Sequence, residues 1–529
     1  MNVILRNCQV YDGTGNSWYK ADIAISGDRI VQVGTVNGFS ADEEIDVKGL
    51  AVAPGFIDIH THSDTAAFVP ELCKGRIMQG ITTEVIGNCG VSVYPVNPEN
   101  SDLLTKYVGA EIEAVDLKWT SLAEFAEIST SLGLVTNLVP LIGHGTVRIA
   151  VMGFDNRPPT PEEMEKMSRL VAESMEQGAF GISSGLIYPP GVFCTTEELV
   201  ELCHVVRDYN GIYTTHMRNE ADLVVEAVEE AITIGRNAEV PVQISHHKAA
   251  GKQNWGMPQI TVPKVKAARE DGIDVDMDVY PYTAACTSLS ITLPPWCHEG
   301  GTEEMLGRLG NPQMRQQIRH DIEHGIPGWE NCVENTGLEN IVIPSAKNKE
   351  IAGKSIAQIA RERNQEQDPI STLLDVLIEE EGDAIMVIFD MSEEDVRFIM
   401  QQPETMIGSD GLPDVKTHPR CNGTFPRVLG HYTRDEKVLQ LEDAIRKMTS
   451  FPAKKLGLKD RGIIREGAYA DIVVFDPKTV ADMATYESPG EDAVGITHVF
   501  VNGYPVVRDG QFEMIKQGRF IKKELQKRI

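Results

Sequence analysis

Between about residues 53 and 454 the chain alternates short apolar runs with amphipathic stretches of helical period, and this alternation constrains the fold most. Consecutive βα units place their strands in parallel and cover the sheet with helices. Helix 161–177 is the clearest of these stretches. Thr160-Pro161-Glu162-Glu163 reads as a capping box with proline at the first helical position, and Met164, Met167, Leu170, Val171 and Met175 mark its buried stripe. Thr195-Thr196-Glu197-Glu198 opens a second helix, and Ala221–Gly235 is a third.

Eight apolar runs end in polar, chemistry-bearing residues. In order the ends are His60-Thr61-His62, Gly87-Asn88-Cys89-Gly90, Ile142-Gly143-His144-Gly145, Gly181-Ile182-Ser183-Ser184, Thr215-His216-Met217-Arg218, Ile244-Ser245-His246-His247-Lys248, Asp278-Val279-Tyr280-Pro281-Tyr282 and Ile407-Gly408-Ser409-Asp410-Gly411. Eight strands alternating with helices are the count of a (β/α)8 barrel, which carries its active site at the C-terminal strand ends. The long interval after Tyr282 breaks the rhythm. Residues 285–390 therefore read as an insertion near the barrel mouth. Short β segments at both termini, including two strands split by Asn502-Gly503, point to one small β-sandwich domain built from residues 1–52 and 455–529. The expected fold is a TIM barrel with that sandwich appended, the barrel occupying 53–454.

Side chains alternate along a strand, so His60 and His62 face one side. With Cys89, His216, His246 and Asp410 they all fall at predicted C-terminal strand ends. Singly each has an ordinary structural explanation; together they form a set of imidazole, thiolate and carboxylate donors that suits Zn²⁺ best among common metals. The net charge of −29 argues against nucleic acid or an anionic membrane surface as partner. Nine scattered cysteines without a CxxC pair, no secretory leader pattern at the start and no apolar run near 18 residues read as a cytoplasmic protein.

Longer motifs carry a family resemblance over nearly the whole chain. The run Gly55 to His62 and the run Gly462-Ile463-Ile464-Arg465-Glu466-Gly467-Ala468-Tyr469-Ala470-Asp471 are similar to the general marks of the amidohydrolase superfamily. Within it, Gly87-Asn88-Cys89-Gly90, Ser183 to Gly191, Thr215 to Glu220, Ser245-His246-His247-Lys248, Gly408-Ser409-Asp410-Gly411 and His418-Pro419-Arg420 resemble the N-acyl-D-amino-acid deacylases, or D-aminoacylases.

That resemblance implies a zinc hydrolase releasing a carboxylate and a free D-amino acid from a small N-acyl amino acid. Cys89, His216 and His246 would hold one zinc tightly, with His247 a rival to His246. His60 and His62 would serve a second, weaker position beside Asp410, the general base and acid. Tyr188 or His144 would stabilise the oxyanion. Lys252, Tyr282, Ser288 and Arg420 would hold the substrate carboxylate, leaving Lys248 and Arg427 to structural duty. The competing readings are a cyclic amide hydrolase, disfavoured by a cysteine where those enzymes carry a carbamylated lysine, and a non-catalytic metal-binding relative. Homo-oligomerisation is left open.

Overall fold

The computed structural model describes residues 1–65, 69–108, 118–412 and 417–524, so the last five residues of the expected terminal domain lie outside the described residues. Eight parallel strands form the barrel wall: β1 (Phe56–Asp58), β2 (Ile81–Ile86), β3 (Asn137–Pro140), β4 (Gly181–Gly185), β5 (Ile212–His216), β6 (Val242–Ile244), β7 (Val275–Val279) and β8 (Thr405–Ile407). β1, β2 and β3 pair in that order. The chain then bends at Leu141, and Ile142–Gly143 continues β3 to pair with β4. β4 to β8 follow in sequence order, and a parallel bridge between Thr61 and Gly411 joins the last strand back to the first. Every residue of these eight strands is buried, because helices cover the outside and side chains fill the inside. Their sequences accordingly lack the strict apolar–polar alternation of a half-exposed strand.

The helices begin where their caps dictate. In α1 (Pro161–Glu176) the Thr160 hydroxyl accepts from the Glu163 N–H at 3.3 Å, and the Glu163 carboxylate accepts from the Thr160 N–H at 2.8 Å. Met164, Met167, Val171 and Met175 are buried, and Leu170 lies at the stripe's edge. Thr195 caps α2 (Thr196–Asp208) in the same way. α3 spans Val224–Ala238, three residues later than its periodicity suggests. The cause is Asn219, whose side-chain oxygen takes the N–H groups of Ala221 and Leu223 and holds that segment in a turn.

Both termini contribute to one nine-stranded sheet in which Ile472–Phe475 runs antiparallel to Ala51–Pro54, pairing Val474 with Val52. Val3, Leu5, Ile23, Ile472, Val474 and Phe500 share one core across the two ends of the chain. The Asn502-Gly503 turn has φ +49° and +81°, as a tight two-residue hairpin requires. Asn502 also fastens this sheet to the barrel: its amide donates to Asn137 Oδ1 of β3 at 2.8 Å and its oxygen accepts from Arg461 at 2.8 Å. Arg461 pairs in turn with Asp471, both nearly inaccessible.

Between β7 and β8 the chain builds a four-stranded sheet from Ala285–Ser288, Ile385–Ile388, Ile341–Ile343 and Lys354–Ser355, flanked by helices. It has its own core of Leu289, Met305, Ile318, Ile341, Leu373 and Met386, among others. Its Ala285–Ser288 and Ile385–Ile388 strands wall the cavity described below.

Removing one member of a buried ion pair leaves the other charge desolvated. Arg461→Met is expected to lower unfolding free energy by about 3–5 kcal/mol, read as a fall in thermal midpoint. An unchanged midpoint would show that the buried Arg461–Asp471 pair does not stabilise the fold.

Candidate active site

The strand ends open into a cavity of about 590 Å³ walled on one side by the barrel and on the other by the 285–390 segment. His60 and His62 follow β1, Cys89 follows β2, His216 ends β5, His246 follows β6 and Asp410 follows β8. Their ligand atoms gather into two sets: His60, His62, Cys89 and Asp410, and Cys89, His216 and His246, each within 4.8 Å mutually. Cys89 belongs to both. Its Sγ lies 3.2 Å from His60 Nε2 and 3.6 Å from His246 Nε2.

The backbone is bent to achieve this. Cys89, His246 and Asp410 have φ of +50°, +34° and +50°, a left-handed conformation that non-glycine residues seldom adopt and that concentrates at functional sites. The Cys89 turn also presses against β4. A Cβ on Gly185 would stand 2.1 Å from the Cys89 carbonyl oxygen, so only glycine fits there.

These donors fit a metal. His216 is buried, yet neither ring nitrogen has a hydrogen-bond partner, and burial holds its imidazole below the usual histidine range, hence neutral. A buried neutral imidazole with free lone pairs is what a metal ion completes. Burial alone would raise the Cys89 thiol, but the positive charge of His60 and the imidazoles of His216 and His246 hold it well below its ordinary range. It is a thiolate ready to ligate.

A ring of carboxylates behind the imidazoles sets their orientation. Asp278 Oδ1 lies 3.1 Å from His60 Nδ1 and accepts the His246 backbone N–H at 2.8 Å. Glu220 Oε1 lies 3.0 Å from His246 Nδ1. With Nδ1 so engaged, Nε2 of both rings faces Cys89. The sequence reading quotes Asp278 and Glu220 within its motifs but gives neither a role. The signal for Asp278 was its strand-end position; for Glu220 it was a place four residues beyond His216. His247 turns away and meets Thr261 Oγ1 at 2.8 Å, while burial lowers it to about 4.

Asp410 stands at the cavity edge with Oδ1 3.1 Å from His62 Nε2 and 3.4 Å from His60 Nε2. Burial opposes its ionisation, but the charges of Arg420 and His60 and the contact with His62 hold it well below the usual carboxylate range. Arg420 Nη1 lies 2.8 Å from Asp410 Oδ2, and the guanidinium is fully buried over the Tyr280 ring. Arg420 thus engages Asp410 rather than the cavity.

The residues read from the sequence as carboxylate holders divide. Ser288 lines the cavity; Lys252 and Tyr282 do not. Lys252 is exposed on the short helical turn Lys252–Asn254, whereas Lys106 and Lys248 line the cavity. Lys248 sits two residues beyond His246, past the left-handed turn at that residue, and its Nζ lies 2.7 Å from His246 Nδ1. Tyr282 is buried against His418 and donates to the Pro419 carbonyl at 3.4 Å. β7 ends at Val279 and Pro281 turns the chain, leaving Tyr280 in the wall between Lys248 and Arg420. Tyr188 lines the cavity edge-on to His216, its hydroxyl accepting from Thr287 at 3.0 Å. His144 is outside the cavity wall, buried with Nε2 2.7 Å from Glu198, and offers no oxyanion donor. Arg427 pairs with Asp482 at 3.1 Å.

Asp278→Asn keeps the shape at His60 but removes the carboxylate. Metal affinity is expected to fall by about 10–100-fold, read as metal retained after dialysis against a graded chelator, whereas His247→Gln retains the metal. Equal retention by Asp278→Asn and the parent would remove Asp278 from this role.

Known proteins resemble this chain along nearly its whole length. A model of the amidohydrolase family matches residues 43–507. The D-aminoacylase of Alcaligenes xylosoxydans xylosoxydans is 37% identical over 98% of this chain and 97% of its own length. A D-aminoacylase structure solved to study its binuclear metal centre superposes with a TM-score of 0.82 at 38% identity, over 98% of this chain and 99% of the other. The N-acyl-D-glutamate deacylase of Bordetella bronchiseptica, solved with zinc and a phosphonate inhibitor, gives the same TM-score and coverage at 33% identity. Among the described residues no helix is long and apolar enough to cross a membrane.

Proposed function

The chain belongs to the amidohydrolase family, and from that premise we propose that it hydrolyses the amide bond of small N-acyl-D-amino acids. The observation that carries this reading is the pair of donor sets meeting at Cys89 with an ionised Asp410 beside them. In this reading Cys89, His216 and His246 hold one zinc ion tightly, and His60 and His62 serve a weaker second position. Zinc there supplies a Lewis acid for the amide carbonyl and lowers the pKa of water to about 7.

The chain's own groups complete the reaction. Asp410 accepts a proton from the attacking water and returns it to the departing nitrogen, because an amine anion is a very poor leaving group. Arg420 fixes the Asp410 carboxylate through Oδ2 and leaves Oδ1 toward the histidines. Tyr188 accepts from Thr287 and so keeps its own hydroxyl proton to donate to the oxyanion. Burial and the Cys89 thiolate raise its phenol well above the ordinary range, which preserves that donor. Ser288, in the cavity wall, is the hydroxyl placed to meet the substrate carboxylate, while Lys248 Nζ is held by both oxygens of Glu220 and by His246 Nδ1.

A cyclic amide hydrolase with a carbamylated lysine bridge finds no such lysine here. Cys89 occupies the shared position, the third strand end carries His144 engaged with Glu198, and the fourth carries Ser183 and Ser184, hydrogen-bonded to Gly87 and Tyr213. A non-catalytic scaffold has no need of Asp410.

Amine release from matched N-acetyl-D- and N-acetyl-L-amino acids, with zinc and after chelation, tests the reading. Release is expected from the D series alone, lost on chelation and restored by Zn²⁺. No release from either series by zinc-loaded protein overturns it. Asp410→Asn is expected to retain zinc while kcat falls by about 10²–10⁴-fold; near-parental turnover would remove Asp410 as the proton carrier.

A further inference from the structure

The inserted segment carries a pair of imidazoles that the deacylase reading does not use. They lie on α4 (Pro312–His324), no residue of which lines the cavity. Asn311 caps this helix, its side-chain oxygen accepting the N–H groups of Gln313 and Met314 at 3.0 and 3.2 Å. Ile318 and Ile322 are buried in the core of the insertion and fix which face looks inward. At 3.6 residues per turn, His320 and His324 fall together on the opposite face, and both are exposed. Their ring centroids stand 4.2 Å apart, with the planes 31° from parallel.

Two histidines four apart on one helix face have the spacing with which helices hold zinc. Here one of them is also oriented. His324 Nδ1 donates to the His320 carbonyl at 2.8 Å, which puts the proton on Nδ1 and leaves the Nε2 lone pair to a ligand. Among the described residues no hydrogen bond or ion pair takes His324 Nε2 or the His320 ring. The surroundings favour a cation. Both residues lie toward the C-terminal end of the helix, where unpaired carbonyls leave a partial negative charge. Glu323, exposed and three residues beyond His320, adds a full one, and the neighbouring Arg319 is neutralised by Asp368. The buried set His144, Cys194 and Glu198 is a poorer candidate. Glu198 already holds His144 at 2.7 Å and Arg148 at 2.6 Å, and Arg218 Nη2 stands 3.8 Å from Cys194 Sγ. A dication there would meet two guanidinium groups.

We propose that His320 and His324 bind one divalent transition ion, Zn²⁺, Ni²⁺ or Cu²⁺, on the outer face of the insertion and apart from the catalytic centre. Imidazole nitrogen suits these ions, whereas Mg²⁺ and Ca²⁺ take oxygen ligands. Two protein donors leave the remaining positions to water, so the ion exchanges with solution, unlike one enclosed by four protein ligands. The site stands independently of the deacylase reading. Its consequence is a metal count: zinc bound per chain exceeds what the two sets sharing Cys89 hold.

The test measures Zn²⁺ bound per chain by equilibrium dialysis over a series of free zinc concentrations, comparing the full chain with its His320→Gln/His324→Gln variant. The parent is expected to bind one exchangeable ion more, with equal kcat on N-acetyl-D-methionine. Each single variant is expected to weaken that ion by about 100-fold, because the second imidazole no longer arrives as an intramolecular ligand. Equal stoichiometry in the parent and the double variant overturns the proposal. Turnover lost together with the ion would place that ion in the catalytic centre and overturns it as well. Absence of turnover in both proteins counts against the deacylase reading alone, and the zinc count still decides this site. Should the variant not fold, the parent itself is treated with diethyl pyrocarbonate, with and without Ni²⁺, and its peptides are weighed. Protection of His320 and His324 by the metal is expected; equal labelling overturns the proposal.

Discussion

The seam where the last barrel strand meets the first is the constraint on which the rest depends. The Asp410 N–H donates to the His60 carbonyl at 2.8 Å, and the His62 N–H donates to the Gly411 carbonyl at 2.9 Å. Asp58 adds a side-chain clasp, its carboxylate accepting both the N–H and the hydroxyl of Ser409. These bonds fix the register between residues some 350 positions apart in the chain. Because register sets which way each side chain points, the seam decides that Asp410 faces His62 rather than the helices. A slip by one residue would turn the Asp410 carboxylate out of the cavity.

The second constraint is charge. A cluster of imidazoles, a thiolate and carboxylates packed at near-zero exposure is unstable unless each charge is opposed. The chain opposes them in rings: Asp278 behind His60, Glu220 behind His246, Arg420 behind Asp410. The same groups select which ring nitrogen faces inward, so stability and function are served by one set of contacts. The Tyr280 ring takes both the Lys248 ammonium and the Arg420 guanidinium, 5.6 and 5.0 Å from its centroid.

The inserted segment is a separate core set on the barrel mouth, and it changes chemistry that the barrel alone would leave general. The strand ends supply the clustered imidazole, thiolate and carboxylate donors. The insertion supplies Ser288, Glu330 and Asp390, and with them the charge of the wall away from the metal-binding side chains. Division of this kind lets side-chain preference vary while the barrel's donors stay in place.

Sequence alone determined the barrel and the positions of its chemistry. Eight apolar runs can be counted, and period-two alternation places His60 with His62 and assigns both to one face. What it could not decide was direction after a strand has ended. Lys248 and Lys252 lie four residues apart; Tyr280 and Tyr282 lie two apart. The left-handed residue His246 and the turn at Pro281 choose between them, and backbone turns of that kind are fixed by tertiary contacts. Asp278 and Glu220 were equally hidden, since a carboxylate's task depends on which ring nitrogen it meets across the barrel. The charge of the cavity wall was the least legible of all. Glu330 and Asp390 sit 60 residues apart in a segment without recognisable rhythm, and only the placement of that segment over the barrel mouth brings both into the cavity wall.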